Sequence, residues 1–260
     1  QLLTAAEMAW ITEEFEWAIQ NHGGGRQHSG STRTMFGGPI ERRASACALL
    51  DHPRIDGLLA SILGDDYNYG SGDGNYYTGD TGWHPDGNWG QLFAIKVAFY
   101  LDPLTRSSGA LRVIPGSHRP DHFIRAEKLA LGRSQEQFGV APADFPSQVV
   151  CETMPGDILV FNHDTYHAAF GGGQRRRMFT MNCTLRAKSP AEFELARRYY
   201  KVHSAGGYNI NTGAGPFHPP MVDSAGPGRM KHLEQVIALH DELFPHLARP
   251  GGASKPGAAP

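Results

Sequence analysis

The sequence is poor in cysteine, in excess basic charge and in long apolar runs. Its three cysteines, Cys47, Cys151 and Cys183, are odd in number and share no short spacing. This argues against a disulfide framework or a zinc ribbon and favours a reducing, cytoplasmic setting. With 24 Lys and Arg against 26 Asp and Glu, the chain has no basic excess for a nucleic-acid backbone. Its longest mostly apolar stretch, 93–101, is shorter than the roughly 20 residues that span a bilayer. We therefore expect neither a nucleic-acid nor a membrane partner.

Glycine and proline are abundant, with 32 and 18 residues scattered along the chain. This composition favours many short strands joined by turns. Over residues 67–185, runs rich in Val, Ile, Phe and Tyr alternate with Gly, Pro and Asp clusters, a pattern typical of strands. The candidate strands lie near residues 75–78, 92–101, 111–114, 149–153, 158–162 and 178–185.

Helical patterns flank this β-rich middle. Thr4 with Glu7 and Ser189 with Glu192 form capping boxes, which mark the starts of two helices. The predicted helices cover residues 4–21, 51–63, 189–203 and 229–247, and residues 26–43 are predicted as a loop or an irregular hairpin. We expect a mostly β fold with flanking helices, consistent with a sandwich or jelly roll. We expect one domain over residues 1–248, with a β core at about 67–187, and a disordered tail over 249–260.

The tripeptide His84-Pro85-Asp86 places an imidazole and a carboxylate two residues apart. In an extended segment these side chains face the same side and can reach one metal ion. Two histidines and one carboxylate make the facial triad that leaves positions open on Fe(II). A second histidine must then come from downstream.

The segment 154–170, MPGDILVFNHDTYHAAF, offers two candidates for that histidine. Its order of turn, buried strand and histidine suits His167 as the second imidazole ligand. His163 competes, but Asn162-His163-Asp164 has the character of a turn. We favour His167.

Three consecutive arginines, Arg175, Arg176 and Arg177, open the last candidate strand. A guanidinium suits a desolvated carboxylate because its planar fork pairs with both oxygens while it stays charged. Strand alternation places Arg175 and Arg177 on one face and Arg176 on the other. We therefore expect at least two of the three to be solvated.

Together these motifs resemble the phytanoyl-CoA dioxygenase family of Fe(II)- and 2-oxoglutarate-dependent oxygenases. The similar segments are WHPD at 83–86, LFAIKVAFYLDPLTRSSGALRVIPGSHR at 92–119, and MPGDILVFNHDTYHAAF with the arginine-led strand. The resemblance implies a double-stranded β-helix, a cupin-like jelly-roll barrel with helices packed outside. It implies Fe(II), 2-oxoglutarate and O2 as cofactors.

The resemblance also implies residue roles. His84, Asp86 and His167 match the iron ligands, and Arg176, with Arg177 as second choice, matches the arginine that binds the distal carboxylate of 2-oxoglutarate. Asn75 resembles a cosubstrate-binding asparagine of the ectoine hydroxylase branch. In halogenating relatives Gly or Ala replaces the carboxylate ligand, so Asp86 implies oxygenation instead.

Further candidates surround the proposed metal site. Lys96 lies in an apolar strand, and a buried lysine needs a partner. It either contacts 2-oxoglutarate or an anionic substrate group, or its ammonium reaches solvent at the barrel end. Tyr77, Trp83 and Trp89 either line the substrate pocket or pack the barrel. Arg33, on an early loop, either serves an anionic substrate or is solvated.

The implied activity is hydroxylation of an aliphatic C–H bond in a small molecule, with 2-oxoglutarate and O2 converted to succinate and CO2. An anionic substrate such as a carboxylate or phosphonate is a candidate. One alternative is the same chemistry leading to desaturation or ring formation in a biosynthetic pathway. Another is a jelly-roll module that binds a ligand without turnover, against which the triad and arginine together argue. The sequence carries no signal for an oligomeric state.

Overall fold

The computed structural model describes residues 1–87, 91–127, 130–213 and 215–248. The helices are α1 Ala5–His22, α2 Ala44–Cys47, α3 Pro53–Leu63, α4 Phe123–Ala126, α5 Ser134–Phe138, α6 Pro190–Val202, α7 Pro219–Asp223 and α8 Pro227–Leu243. The strands are β1 Thr34–Gly37, β2 Asn68–Tyr69, β3 Asp73–Tyr77, β4 Thr81–His84, β5 Ala94–Tyr100, β6 Leu111–Val113, β7 Val149–Cys151, β8 Ile158–Asn162, β9 His167–Ala169 and β10 Arg176–Thr184. Within these ranges no helix has both the length and the apolar composition that crossing a bilayer requires.

The strands form two antiparallel sheets. The larger sheet has the order β1-β3-β10-β5-β8, and β2 also pairs with β10. The smaller sheet has the order β4-β9-β6-β7. Side chains of both sheets line one cavity. The expected β-rich architecture with flanking helices is therefore present, as two separate sheets in the part of the chain that the structure describes.

Alternation along β5 and β10 gives the larger sheet one face that packs into the main core and one face that borders the cavity. Val97 and Phe99 on β5, and Phe179 and Met181 on β10, belong to the main hydrophobic core. The intervening residues of both strands, Lys96, Ala98, Tyr100, Arg176, Met178, Thr180 and Asn182, line the cavity. Successive strand residues face opposite sides of the sheet. The same register therefore packs one set of side chains into the core and directs the other set into the cavity.

Helices α1, α3, α6 and α8 cover the apolar face of this sheet. They contribute Phe15, Ile55, Tyr199 and Leu233 to the same core. Both predicted capping boxes are present: Thr4 accepts from the Glu7 backbone N–H, and Ser189 accepts from that of Glu192. The helix starts are thus fixed by local hydrogen bonds that the sequence already indicates.

The expected start of the β structure at residue 67 was wrong. Residues 26–43 are not merely a loop or hairpin, because β1 pairs with β3 through Thr34 to Tyr76 and Gly37 to Asp73. The β structure therefore begins before residue 67. A single domain over residues 1–248 stays a prediction, and the predicted tail 249–260 lies outside the described residues.

The core prediction concerns Phe179, which is 1 % exposed and stacks on Phe99 with ring centroids 4.5 Å apart. We expect Phe179→Ala to lower the free energy of unfolding by about 3–5 kcal/mol, because it removes a buried ring from a packed core. Urea denaturation followed by circular dichroism measures this loss. Phe138, which is 49 % exposed, is the matched control, and Phe138→Ala should change the free energy by less than about 0.5 kcal/mol. Equal losses in both variants would contradict this view of the core.

Candidate metal centre

His84 and His167 lie opposite each other in the smaller sheet. Strand β4 ends at His84, β9 begins at His167, and the register pairs these two residues. Their ring centroids are 4.4 Å apart. Asp86 follows in a bend, where its backbone N–H donates to the His163 carbonyl at 3.0 Å. The antiparallel pair and this loop contact bring the three side chains together.

Backbone carbonyls orient both imidazoles. His84 Nδ1 lies 2.8 Å from the Gly82 oxygen, and His167 Nδ1 lies 3.0 Å from the Thr165 oxygen. A carbonyl only accepts, so each Nδ1 carries the proton and each Nε2 keeps its lone pair. The Nε2 atoms lie 3.9 Å and 3.2 Å from carboxylate oxygens of Asp86. One ligand atom from each residue lies within 4.8 Å of the others, so this group, the triad below, can hold a metal ion.

The charge states of the triad also suit a metal. Burial alone would raise the pKa of Asp86, but the Lys96 ammonium and His167 hold it well below its usual value. Burial lowers the pKa of His167 to about 4 despite the nearby Asp86 carboxylate. At neutral pH, Asp86 is therefore ionised and His167 neutral, which are the forms that bind metals.

Lys96 points from β5 into the cavity, where its Nζ forms an ion pair with Asp86 Oδ2 at 2.7 Å. Its side chain is only 14 % exposed, so the alternative in which the ammonium reaches solvent is wrong. Burial lowers the pKa of Lys96, but the carboxylates of Asp86 and Asp73 outweigh it and raise the pKa above its usual value. The cavity therefore holds a charged lysine beside the triad.

A cavity of about 340 Å³ connects the triad with Arg176. Arg176 is 6 % exposed, and its guanidinium lies over the Tyr77 ring, 5.1 Å from the centroid. One of its terminal nitrogens has no hydrogen-bond partner among the described residues. Cβ atoms at Gly109 or Gly172 would collide with the guanidinium, so these glycines leave the space that it occupies. Such a buried and incompletely paired cation is a natural site for a carboxylate.

The neighbouring arginines face away from the cavity, as strand alternation predicts. Arg177 forms ion pairs with Asp102 and with Glu16 at 2.9 Å. Arg175 pairs with Glu16 and donates to the Tyr76 hydroxyl. The structure therefore does not bring Arg177, the second choice for the cosubstrate, into the cavity, because its strand position points it at the α1 side of the sheet.

Tyr77 and Arg33 line the cavity, whereas Asn75, one of the predicted cosubstrate residues, is not part of its lining. The Arg33 guanidinium lies 4.4 Å from the Tyr77 ring centroid, donates to Asn75 Oδ1 at 2.6 Å and pairs with Asp73 at 3.0 Å. Asn75 is fully buried and also donates to Asp73. Arg33 is thus anchored on β3 rather than freely solvated, and Asn75 supports it.

Trp83 does not line the cavity. Its indole packs against Phe145 and Phe170 and donates to the Pro142 carbonyl at 2.8 Å. Trp83 precedes His84 on β4, so its side chain faces the opposite side of the strand. Of the two expected roles, packing and not pocket lining is therefore the one observed. Trp89 lies outside the described residues.

The cavity also contains residues that the sequence did not assign to the site. His163 lies in the expected turn and bonds Asn182 Oδ1 at 3.1 Å, and the structure groups His167 rather than His163 with the triad. His203 and Tyr208, beyond α6, line the same cavity. The alternation of β10 could have indicated Asn182, whereas His203 belongs to no motif.

The fold and the triad define a jelly-roll-type protein with a two-histidine, one-carboxylate metal centre. The sequence profile of the phytanoyl-CoA dioxygenase family matches residues 1–178, which is more than half of the chain. The protein therefore belongs to the phytanoyl-CoA dioxygenase family, as its motifs indicate. A search of curated protein sequences found no match.

Solved structures share this fold. The non-haem α-ketoglutarate-dependent epimerase SnoN from nogalamycin biosynthesis is similar, with a TM-score of 0.52, 17 % identity, and coverage of 71 % of this chain and 75 % of that one. The carbocyclase SnoK from the same biosynthesis has a TM-score of 0.53 and 17 % identity, covering 70 % and 77 %. HygX from Streptomyces hygroscopicus, solved with nickel and 2-oxoglutarate bound, has a TM-score of 0.53 and 13 % identity, covering 71 % and 80 %.

The metal prediction uses anaerobic titration calorimetry with Co(II), which has no oxygen reactivity to complicate the measurement. We expect one ion per chain, and a loss of affinity of at least about 100-fold in His84→Ala or His167→Ala, since each removes a direct ligand. His203→Phe is the control, because this buried histidine shares the cavity but lies outside the triad. An unchanged affinity in both alanine variants would contradict the assignment.

Proposed function

We propose that this protein is a non-haem Fe(II)- and 2-oxoglutarate-dependent dioxygenase that hydroxylates an aliphatic C–H bond of a small molecule. The observation that carries the proposal is one cavity containing both the triad and the buried, incompletely paired Arg176. A ligand-binding module without turnover has no need for both features. Membership of the phytanoyl-CoA dioxygenase family supports the same activity.

The donor set fits Fe(II). Two imidazole nitrogens and one carboxylate would hold the ion on one side and leave positions for a chelating cosubstrate and O2. When bound, Fe(II) and 2-oxoglutarate supply the oxidising power, with conversion of 2-oxoglutarate and O2 to succinate and CO2. The protein itself orients the ligands through the Gly82 and Thr165 carbonyls and keeps the donor atoms deprotonated.

Arg176 fits the distal carboxylate of 2-oxoglutarate. Its guanidinium lies over the Tyr77 ring. Tyr100 and Met178 line the cavity together with Arg176. A bidentate pair with a dicarboxylate would satisfy the free nitrogen and neutralise the buried charge. The apolar neighbours would exclude water from this end of the cavity.

Lys96 has a second proposed role. In the structure its ammonium pairs with Asp86, and a metal ion bound to Asp86 would compete for the same carboxylate. The displaced ammonium would remain buried and would need another anion. A carboxylate of 2-oxoglutarate is the anion that this cavity is proposed to receive, so we place Lys96, like Arg176, among the cosubstrate residues.

Desaturation or ring formation would use the same residues. The structures similar to this chain include proteins named as an epimerase and a carbocyclase, so the outcome must be read from the product. Hydroxylation adds one oxygen atom to the substrate, desaturation removes two hydrogens, and epimerisation leaves the mass unchanged. Ring formation also removes two hydrogens, so mass spectrometry separates hydroxylation, two-hydrogen loss and epimerisation, and NMR of the product distinguishes a new ring from a new double bond.

The activity test measures succinate released when Fe(II)-loaded protein receives O2 and 2-oxoglutarate, with and without a panel of small molecules. We expect Arg176→Leu to raise KM for 2-oxoglutarate by about 10- to 100-fold, the loss of a charged hydrogen-bonded pair, with metal affinity unchanged. Arg175→Leu is the matched control, because Arg175 pairs with Glu16 on the other face, and its KM should not change. No iron binding and no succinate from the wild type, even without substrate, would favour a binding module instead.

A separate prediction concerns Lys96→Met, which removes the ammonium but keeps the length of the side chain. We expect metal affinity to rise, because the cation no longer competes for Asp86, and KM for 2-oxoglutarate to rise at least about tenfold. Calorimetry with Co(II) and steady-state kinetics give the two values. Unchanged Michaelis constants for both 2-oxoglutarate and substrate would exclude a direct role for Lys96.

A further inference from the structure

Strand β10 runs along the cavity from Arg176 at one end to Asn182 at the other. Arg176 pairs in register with Tyr77 on β3, and Asn182 pairs with Lys96 on β5. These two residues mark the two ends of the part of β10 that lines the cavity. Because Lys96 contacts Asp86 of the triad, the triad adjoins the Asn182 end. With 2-oxoglutarate placed between the triad and Arg176, as proposed above, the substrate has its space at the Asn182 end.

The Asn182 end is closed by a wall of polar side chains, here called the distal wall: His163, Asn182 and His203. His163 and His203 are 4 % and 5 % exposed, and their ring centroids are 5.2 Å apart. His163 Nε2 bonds Asn182 Oδ1 at 3.1 Å, and His203 Nδ1 bonds the Tyr208 hydroxyl at 2.8 Å. These bonds fix both rings in place.

Each histidine of the distal wall keeps one ring nitrogen without a partner. His163 Nδ1 and His203 Nε2 are buried and make no hydrogen bond within the described residues, and both side chains line the cavity. A buried polar atom without a partner is unfavourable unless a ligand or water satisfies it. Two such atoms in neighbouring side chains of the cavity lining indicate that this wall binds a polar group of a ligand.

The distal wall is uncharged. Burial lowers the pKa of His203 to about 4, with Asp86 and Lys96 acting in opposite directions, so this ring is neutral at pH 7. The charged groups nearby have partners: Asp73 pairs with Arg33, and Lys96 pairs with Asp86 here and, in the proposed metal-loaded protein, with 2-oxoglutarate. Neutral imidazole offers a donor or an acceptor, as a hydroxyl group does, whereas an anion or a cation would find no free countercharge here.

Apolar side chains contribute to the border of the cavity. Met35 and Tyr208 line the cavity and are each 54 % exposed, and Ile210 also lines it. An exposed tyrosine ring and a methionine offer a surface for the apolar face of a ring.

From these features we infer that the distal wall binds a hydroxyl group of an uncharged ring substrate, of the polyol or glycoside type, whose apolar face contacts Met35 and Tyr208. The inference rests on the proposed function and names the substrate class of the same site. It replaces the expectation of an anionic substrate, because Arg33 is already paired with Asp73 and Lys96 is assigned to Asp86 and to 2-oxoglutarate.

The test is a binding measurement on the full chain loaded with Co(II) and 2-oxoglutarate without O2. Saturation-transfer NMR compares three panels: methyl glycosides and cyclitols, the corresponding uronic acids, and amino sugars. We expect binding to be concentrated in the uncharged panel. Binding confined to the acids or the amino sugars, or no binding in any panel, would overturn the inference.

Variants then test the distal wall itself. His203→Phe keeps a ring in the cluster but removes the free nitrogen, and should weaken the best uncharged probe at least about tenfold. Tyr199→Phe is the matched control: its hydroxyl is also buried and without a partner, and its ring lies 4.7 Å from that of His203, yet it is not part of the cavity lining. Equal affinity in His203→Phe and the wild type would overturn the proposed contact.

The same samples separate this inference from the proposed function. Co(II) and 2-oxoglutarate binding, measured by calorimetry, should be unchanged in both variants, since neither residue belongs to the triad or contacts Arg176. If the wild type binds neither, the proposed oxygenase fails. If it binds both, and the probes fail or bind without His203, only the distal wall is rejected.

Discussion

The two-residue alternation of β10 is the constraint on which the rest of the structure depends. Phe179 and Met181 face the helices while Arg176 and Asn182 face the cavity. A slip of one residue in the pairing with β5 would bury Arg177 in the cavity and turn the apolar ring of Phe179 towards it. Register is therefore enforced by hydrophobic packing on one face, and the positions of the polar groups on the other face follow without further interactions.

The cavity face is correspondingly unfavourable for stability in the absence of ligands. Lys96, Asp86 and Arg176 are charges removed from water, and such groups stabilise a fold only when they are well paired. The ion pair between Lys96 and Asp86 compensates for two of them, and Arg176 retains an unsatisfied nitrogen. The large core on the opposite face makes this arrangement tolerable, and ligands that complete the pairing would stabilise the folded state.

Much of this could be predicted from the sequence, because the informative signals were local. Capping boxes, apolar runs and the order of the metal-ligand motifs depend on neighbouring residues. The short strands β1, β4 and β9 carry too few residues to show alternation, so pairing with distant strands decides them. The grouping of the two distal-wall histidines was not predictable, because it also depends on contacts between distant segments. His163 lies in a turn and His203 follows α6, and only the fold brings their rings together.

The family profile ends at residue 178, just after Arg176. The triad and the proposed cosubstrate arginine lie inside that stretch, whereas Asn182, His203 and Tyr208 lie beyond it. Under the proposed function, the matched stretch would therefore hold the oxidising centre together with His163 of the distal wall, and the residues after it would hold the rest of that wall, Asn182 and His203. Substitutions at Asn182 or His203 would then change what the cavity accepts without altering a residue of the triad or Arg176.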